Sequence, residues 1–152
     1  MLRAFFGFFG LKEDMIEDMR RSRSTRAIAK DWDGIPGQEY VYKLSEGNYS
    51  NFLKSHESAL VMFYAPWCGH CKVIKPEYAL AAMNLARSSI PAALASCDCD
   101  ESPKMVERFQ LSGYPTVIHF RNGRPQGEYN QGRSAMDIIN FMTSQARVRD
   151  EF

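Results

Sequence analysis

Ala59-Leu-Val-Met-Phe-Tyr64, followed at once by Ala65-Pro-Trp-Cys-Gly-His-Cys-Lys72, is the stretch on which the fold turns. Its first six residues are a short, uninterrupted run of apolar and aromatic side chains closed by Pro66, the pattern of a buried strand. The strand runs into Cys68-x-x-Cys71, and a helical pattern follows. That places the Cys68 sulfur at a helix N-terminus, where unpaired N–H groups and the positive end of the dipole favour its thiolate. His70, between the two sulfurs, adds a positive partner that favours the reduced dithiolate form and makes the disulfide a better oxidant. This is the chemistry of a dithiol redox site. The competing reading of the cysteines is a zinc site, since Cys68-x-x-Cys71 and Cys97-x-Cys99 supply four ligands at workable spacing. A zinc ribbon needs neither a buried strand before its first pair nor a Trp and a His around it, so no metal is assigned.

The pentapeptide Trp67-Cys-Gly-His-Cys71 resembles the signature of the protein disulfide isomerase family within the thioredoxin superfamily. Gly113-Tyr-Pro-Thr116 followed by Val-Ile-His-Phe120 resembles that superfamily's second landmark, a proline before a central strand. The resemblance covers residues 38–146. It implies an α/β thioredoxin fold, a mixed central β-sheet flanked by helices on both faces, and a thiol-disulfide oxidoreductase or isomerase that needs no cofactor. By the same resemblance Cys68 attacks or is attacked by substrate sulfur and Cys71 resolves the mixed disulfide, with Gly69 and His70 tuning the couple. Trp67, Tyr114 and Pro115 are implied to bind substrate, a cis Tyr114–Pro115 bond leaving the Tyr114 backbone free to pair with an extended chain. Arg133, in Gln131-Gly-Arg-Ser134, is implied to swing toward Cys71 and lower its pKa. The implied partners are cysteine-containing client proteins or peptides, with glutathione or an upstream oxidase, and the implied compartment is the endoplasmic reticulum lumen. The last residues, Arg149-Asp-Glu-Phe152, resemble a retrieval signal with both ends varied.

Bulk properties narrow the classes. A chain of 152 residues is one domain with some excess, its composition is that of a soluble globular protein, and a net charge of +1 argues against dedicated nucleic-acid binding. No stretch reaches the roughly 18 consecutive apolar residues of a membrane span. Residues 1–37 read as an N-terminal extension and linker. Met1 to Leu11 has the outline of a short secretory signal or anchor without a cleavage site, and through residue 30 seven Lys or Arg outnumber four Asp or Glu, which reads as a basic arm. Asp31-Trp-Asp-Gly-Ile-Pro-Gly37 is rich in turn formers and reads as a linker, with the domain at 38–146 and a tail at 147–152.

Within the domain the periodicities alternate. Strands are expected at Tyr40–Leu44, 59–64, Pro91–Cys97, Thr116–Arg121 and Gln126–Tyr129, the last two joined by the hairpin turn Asn122-Gly123. Helices are expected at Glu46–His56, Gly69–Ala86 with a bend before Pro76, Pro103–Phe109, and Ser134–Ser144. His56 and His119 read as a surface and a strand histidine.

Two departures from the family pattern bear on mechanism. The family's buried Glu six residues before the first cysteine is Met62 here, and the Lys that faces it is Ser96. Losing both charges together is tolerable, whereas losing one strands the other. The resemblance implies that resolution by Cys71 is then slow for want of a buried proton acceptor, unless another group supplies the path. Cys97 and Cys99 read as one buried filler and one surface thiol. Two alternatives to the oxidoreductase remain: a redox-impaired, peptide-binding, chaperone-like domain, and a thioredoxin-like reductant.

Overall fold

The structure, a computed structural model, describes residues 30–150, with side chains from Asp31 to Ala146. The signal outline and basic arm at 1–29, and the end of the Arg149–Phe152 tail, lie outside the described residues. Five strands, β1 (Tyr42–Leu44), β2 (Ser58–Tyr64), β3 (Ala93–Asp98), β4 (Thr116–Arg121) and β5 (Arg124–Glu128), form one sheet in the order β1-β3-β2-β4-β5. β1, β3 and β2 run parallel, and β4 and β5 are antiparallel to their neighbours. Among the described residues four α-helices flank it: α1 (Tyr49–Ser55), α2 (Gly69–Arg87), α3 (Lys104–Arg108) and α4 (Ala135–Asp150).

The alternation of side chains along β2 divides the core in two. Leu60, Met62 and Tyr64 face one layer with Ile74, Tyr78, Ala82 and Leu85 of α2 and Ile138 and Met142 of α4. Ala59, Val61 and Phe63 face the other, with Phe52 and Leu53 of α1 and Met105 of α3. β2 is therefore buried along its whole length, which is why it reads as a continuous apolar run. The Tyr78 hydroxyl lies 2.8 Å from both the Leu60 and the Ala95 carbonyl oxygens, fastening α2 to the sheet.

The expected elements are all present, the strand Thr116–Arg121 with the expected ends and the others with shifted ends. α2 continues through Pro76 without a break. The hairpin turn has positive φ at both Asn122 (52°) and Gly123 (82°), the backbone a two-residue turn requires. β5 lies at the edge, fully exposed and carrying Pro125, which a central strand would not tolerate. α4 runs past Ser144 to Asp150, and Arg121 of β4 donates to the Gln145 carbonyl and side-chain oxygens at 3.2 Å, tying the added turn to the sheet.

The linker reading of 31–37 is corrected. Trp32, at 0% exposure, is part of the core between β2 and α2. Its Nε1–H donates to the Tyr64 hydroxyl at 3.0 Å, and its ring meets that of Tyr64 edge-on at 6.0 Å. At Gly37, with φ of 87°, a Cβ would stand 2.6 Å from the Ala79 carbonyl oxygen, so the segment lies directly on α2. Turn formers set the course of a chain but do not say whether it leaves the surface; one large aromatic is enough to bury it.

Candidate functional site

Cys68 is the N-cap of α2, with extended backbone (φ −78°, ψ 121°). Its sulfur accepts the Cys71 N–H at 3.3 Å, satisfying one of the helix's unpaired donors as a capping oxygen would. The Cys68 thiol in turn reaches the Tyr114 carbonyl at 3.6 Å, and Tyr114–Pro115 is cis. Two segments far apart in sequence thus meet at one sulfur. Cys68 keeps 7% exposure and Cys71 none. Burial, and then the hydrogen bond it shares with Cys68, push the Cys71 thiol up to about 12, against which a backbone hydrogen bond at Ala65 and, more weakly, the charge of Lys75 act in the lowering direction.

The other residues singled out in the sequence surround this pair. Trp67 is 68% exposed; its Nε1–H donates to Asp100 at 3.4 Å and its ring stands edge-on to Tyr114 at 5.9 Å. Gly69 and His70 are exposed in the first turn of α2, and no atom within 4 Å would meet a Cβ on Gly69. Arg133 is exposed on the loop before α4, where it lines a cavity of about 280 Å³ together with Ile74, Pro115 and Tyr129. The cavity abuts the cis proline, so Arg133 and Pro115 share one cleft.

Met62 and Ser96 are direct partners across β2 and β3, both buried, and the Ser96 hydroxyl has no hydrogen-bond partner among the described residues. Charge enters this part of the core from elsewhere. Lys75, 2% exposed, pairs with Asp31 and lies over the Tyr64 ring at 4.4 Å. Sequence reading missed both members. The signal for Lys75 was present: it falls on the stripe Cys71, Ile74, Tyr78, Ala82 and Leu85, where a charge is out of place. Asp31 carried no such signal.

Cys97 and Cys99 are both buried, which corrects the expectation of one exposed thiol. Residues two apart on an extended chain point to the same side, so both join the α1 and α3 layer. The hydrogen bond shared with Cys99, together with burial, raises the Cys97 thiol well above its ordinary range. Among the described residues no group of three or more His, Cys, Asp or Glu converges to hold a metal, so the two cysteine pairs remain apart. His119 is buried on β4 and bonded to Ser58 at 3.1 Å, and burial lowers it to about 4. No described helix is long and apolar enough to cross a membrane.

Residues 40–144 match the thioredoxin family. The chain belongs to that family. Among curated proteins it is 41% identical over 114 residues to protein disulfide-isomerase A4 of Mus musculus, covering 75% of this chain and 18% of the relative. It is 43% identical over 106 residues to the protein disulfide-isomerase of Drosophila melanogaster, covering 70% of this chain and 21% of that one. Among solved structures, the first thioredoxin domain of mouse protein disulfide-isomerase A4 is 34% identical with a TM-score of 0.63, covering 70% of this chain and 76% of that domain. The chain spans about a fifth of the length of the curated relatives it matches.

Proposed function

We propose that this protein is a thiol-disulfide oxidoreductase of the disulfide isomerase type, acting on protein disulfides through Cys68 and Cys71. The observation that carries the reading is the juxtaposition at Cys68: a sulfur capping α2, beside the Tyr114 carbonyl that precedes the cis proline, with a second, fully buried thiol one turn behind. In the reducing direction the Cys68 thiolate attacks a substrate disulfide, a bond forms between Cys68 and one substrate sulfur, and the other sulfur leaves as thiolate. Cys71 then attacks Cys68, releasing the first substrate sulfur and closing the Cys68–Cys71 disulfide. Oxidation of a client is the reverse. An extended client pairs with the Tyr114 backbone beside the sulfurs, covering exposed Trp67. Arg133 and His70 modulate the couple from solvent, and clients, glutathione or an upstream oxidase exchange with it. The endoplasmic reticulum lumen is the proposed compartment, supported by the likeness to disulfide isomerases.

The test is equilibration with glutathione buffers. The reading expects a couple near roughly −180 mV rather than the −270 mV or so of a thioredoxin-like reductant, and no redox transition at this site after Cys68→Ser. A potential at the thioredoxin end favours the reductant. The exposure of Trp67 supports a second reading, a peptide-binding, chaperone-like domain; suppression of client aggregation by Cys68→Ser/Cys71→Ser protein at the parental level, with no disulfide exchange in the parent, selects it.

A further inference from the structure

Lys75 is the fourth residue after Cys71 on α2, one helical turn on and on the same buried face. An ammonium at 2% exposure is costly to bury unless it is paired and hydrogen-bonded. Here it is: Lys75 donates to Asp31 Oδ2, and its Nζ lies 4.4 Å from the Tyr64 ring centroid and 5.4 Å from that of Trp32. Asp31 is held in turn, since the Tyr64 hydroxyl, which accepts from Trp32 Nε1 at 3.0 Å, reaches Asp31 Oδ1 at 3.5 Å. The assembly holds a buried ammonium one helical turn from a thiol that must lose a proton to function.

We infer that Lys75, fixed by Asp31, is a positioning residue for the resolving step, its ammonium stabilising the Cys71 thiolate as that thiol attacks the mixed disulfide. The inference rests on the oxidoreductase reading above. In the step, Cys71 gives its proton to water and its sulfur forms a bond to Cys68. The bond between Cys68 and the substrate sulfur breaks, that sulfur takes the electron pair, and solvent returns a proton to it. The charged and titratable groups around the pair are Cys68 at the head of α2, Tyr64 on β2, Asp98 at the end of β3, which feels the charge of Asp31, and Lys43 on β1, whose Nζ lies over the Trp32 ring at 4.3 Å. Among these, Lys75 is the cation that lies one helical turn from Cys71 on the same buried face of α2.

The test mixes the reduced full-length chain with glutathione disulfide, quenches with acid at intervals, and counts by mass the glutathione adduct on Cys68 and the Cys68–Cys71 disulfide. The ratio of the second rate constant to the first is the readout, taken as a function of pH, because a general loss of stability does not move it. Lys75→Met is expected to lower the ratio about tenfold at neutral pH, equivalent to moving the thiolate fraction by one pH unit, and to displace the profile toward higher pH. Asp31→Asn is expected to act in the same direction, because Asp31 is the partner that holds the Lys75 ammonium in place. Lys43→Met, which removes another buried cation near Trp32, should leave the ratio parental. Should Lys75→Met not fold, Lys75→Gln makes the same measurement. A parental ratio and profile in folded Lys75 variants overturns the inference while leaving the oxidoreductase reading intact. Failure of Cys71→Ser protein to accumulate any glutathione adduct on Cys68 overturns that reading itself, and this inference with it.

Discussion

Replacing Trp32 tests whether the packed domain begins before residue 38. The side chain is wholly buried, stacked edge-on against Tyr64 and hydrogen-bonded to it. Truncating a buried tryptophan to alanine costs about 3–5 kcal/mol in lost transfer energy and residual cavity. Removing the Nε1–H donor to the Tyr64 hydroxyl adds about 1 kcal/mol. Against a total of roughly 5–15 kcal/mol for a domain this leaves Trp32→Ala close to unfolding, so Trp32→Phe, which keeps a ring and loses the hydrogen bond, gives the cleaner number, about 1–3 kcal/mol. Urea unfolding followed by far-ultraviolet circular dichroism reads both as shifts of midpoint at constant slope. A loss below about 1 kcal/mol in Trp32→Ala would mean that the Trp32 side chain is not packed in the core and would return residues 31–37 to the status of a linker.

His119 makes stability pH-dependent. Its folded-state pKa of about 4 lies below the ordinary 6.5, so the unfolded chain takes up the proton first; the stabilisation is complete above pH 6.5 and is lost as pH falls toward 4, on the order of 3 kcal/mol. His119→Phe should flatten that part of the unfolding profile relative to the parent. Gly37→Ala, forced into a left-handed backbone with the Ala79 carbonyl 2.6 Å from the new methyl, should cost about 2 kcal/mol or more in the same urea measurement, and an unchanged midpoint would contradict the packing described. Met62→Glu places a carboxyl opposite Ser96 in the core and should destabilise by about 3–5 kcal/mol, with Met62→Glu/Ser96→Lys recovering most of it; equal losses in the single and double variants would argue against their facing one another.

What the sequence made legible were features whose signal is local. β2 reads directly because burial on both faces turns a strand into a continuous apolar run, and the Asn122-Gly123 hairpin because its backbone needs those two residues. The N-cap position of Cys68 follows from a strand running straight into a helix. The meeting of Cys68 with Tyr114 came from the family resemblance, since nothing local in either segment announces the other. Asp31 and Trp32 were lost because a short turn-rich segment has no periodicity from which to infer burial. Lys75 could have been found: the stripe of α2 that begins at Cys71 contains it, and a lysine in an apolar stripe calls for a buried counter-charge somewhere in the chain. That the counter-charge is Asp31 is a tertiary fact, set by how the segment before β1 crosses α2. The error over Cys97 and Cys99 lay in the period, since strand residues two apart share a side.

The central claim is that Cys68 is the reactive thiol and Cys71 the protected one. Brief alkylation of the fully reduced, folded protein at mildly acidic pH, followed by peptide mapping, tests it most directly. Cys68 should be labelled first and nearly alone, because its sulfur caps α2 and keeps residual exposure, whereas Cys71 is sealed beneath it with its thiol raised to about 12 and Cys97 and Cys99 are buried in the opposite layer. Preferential labelling of Cys71, Cys97 or Cys99 would contradict it.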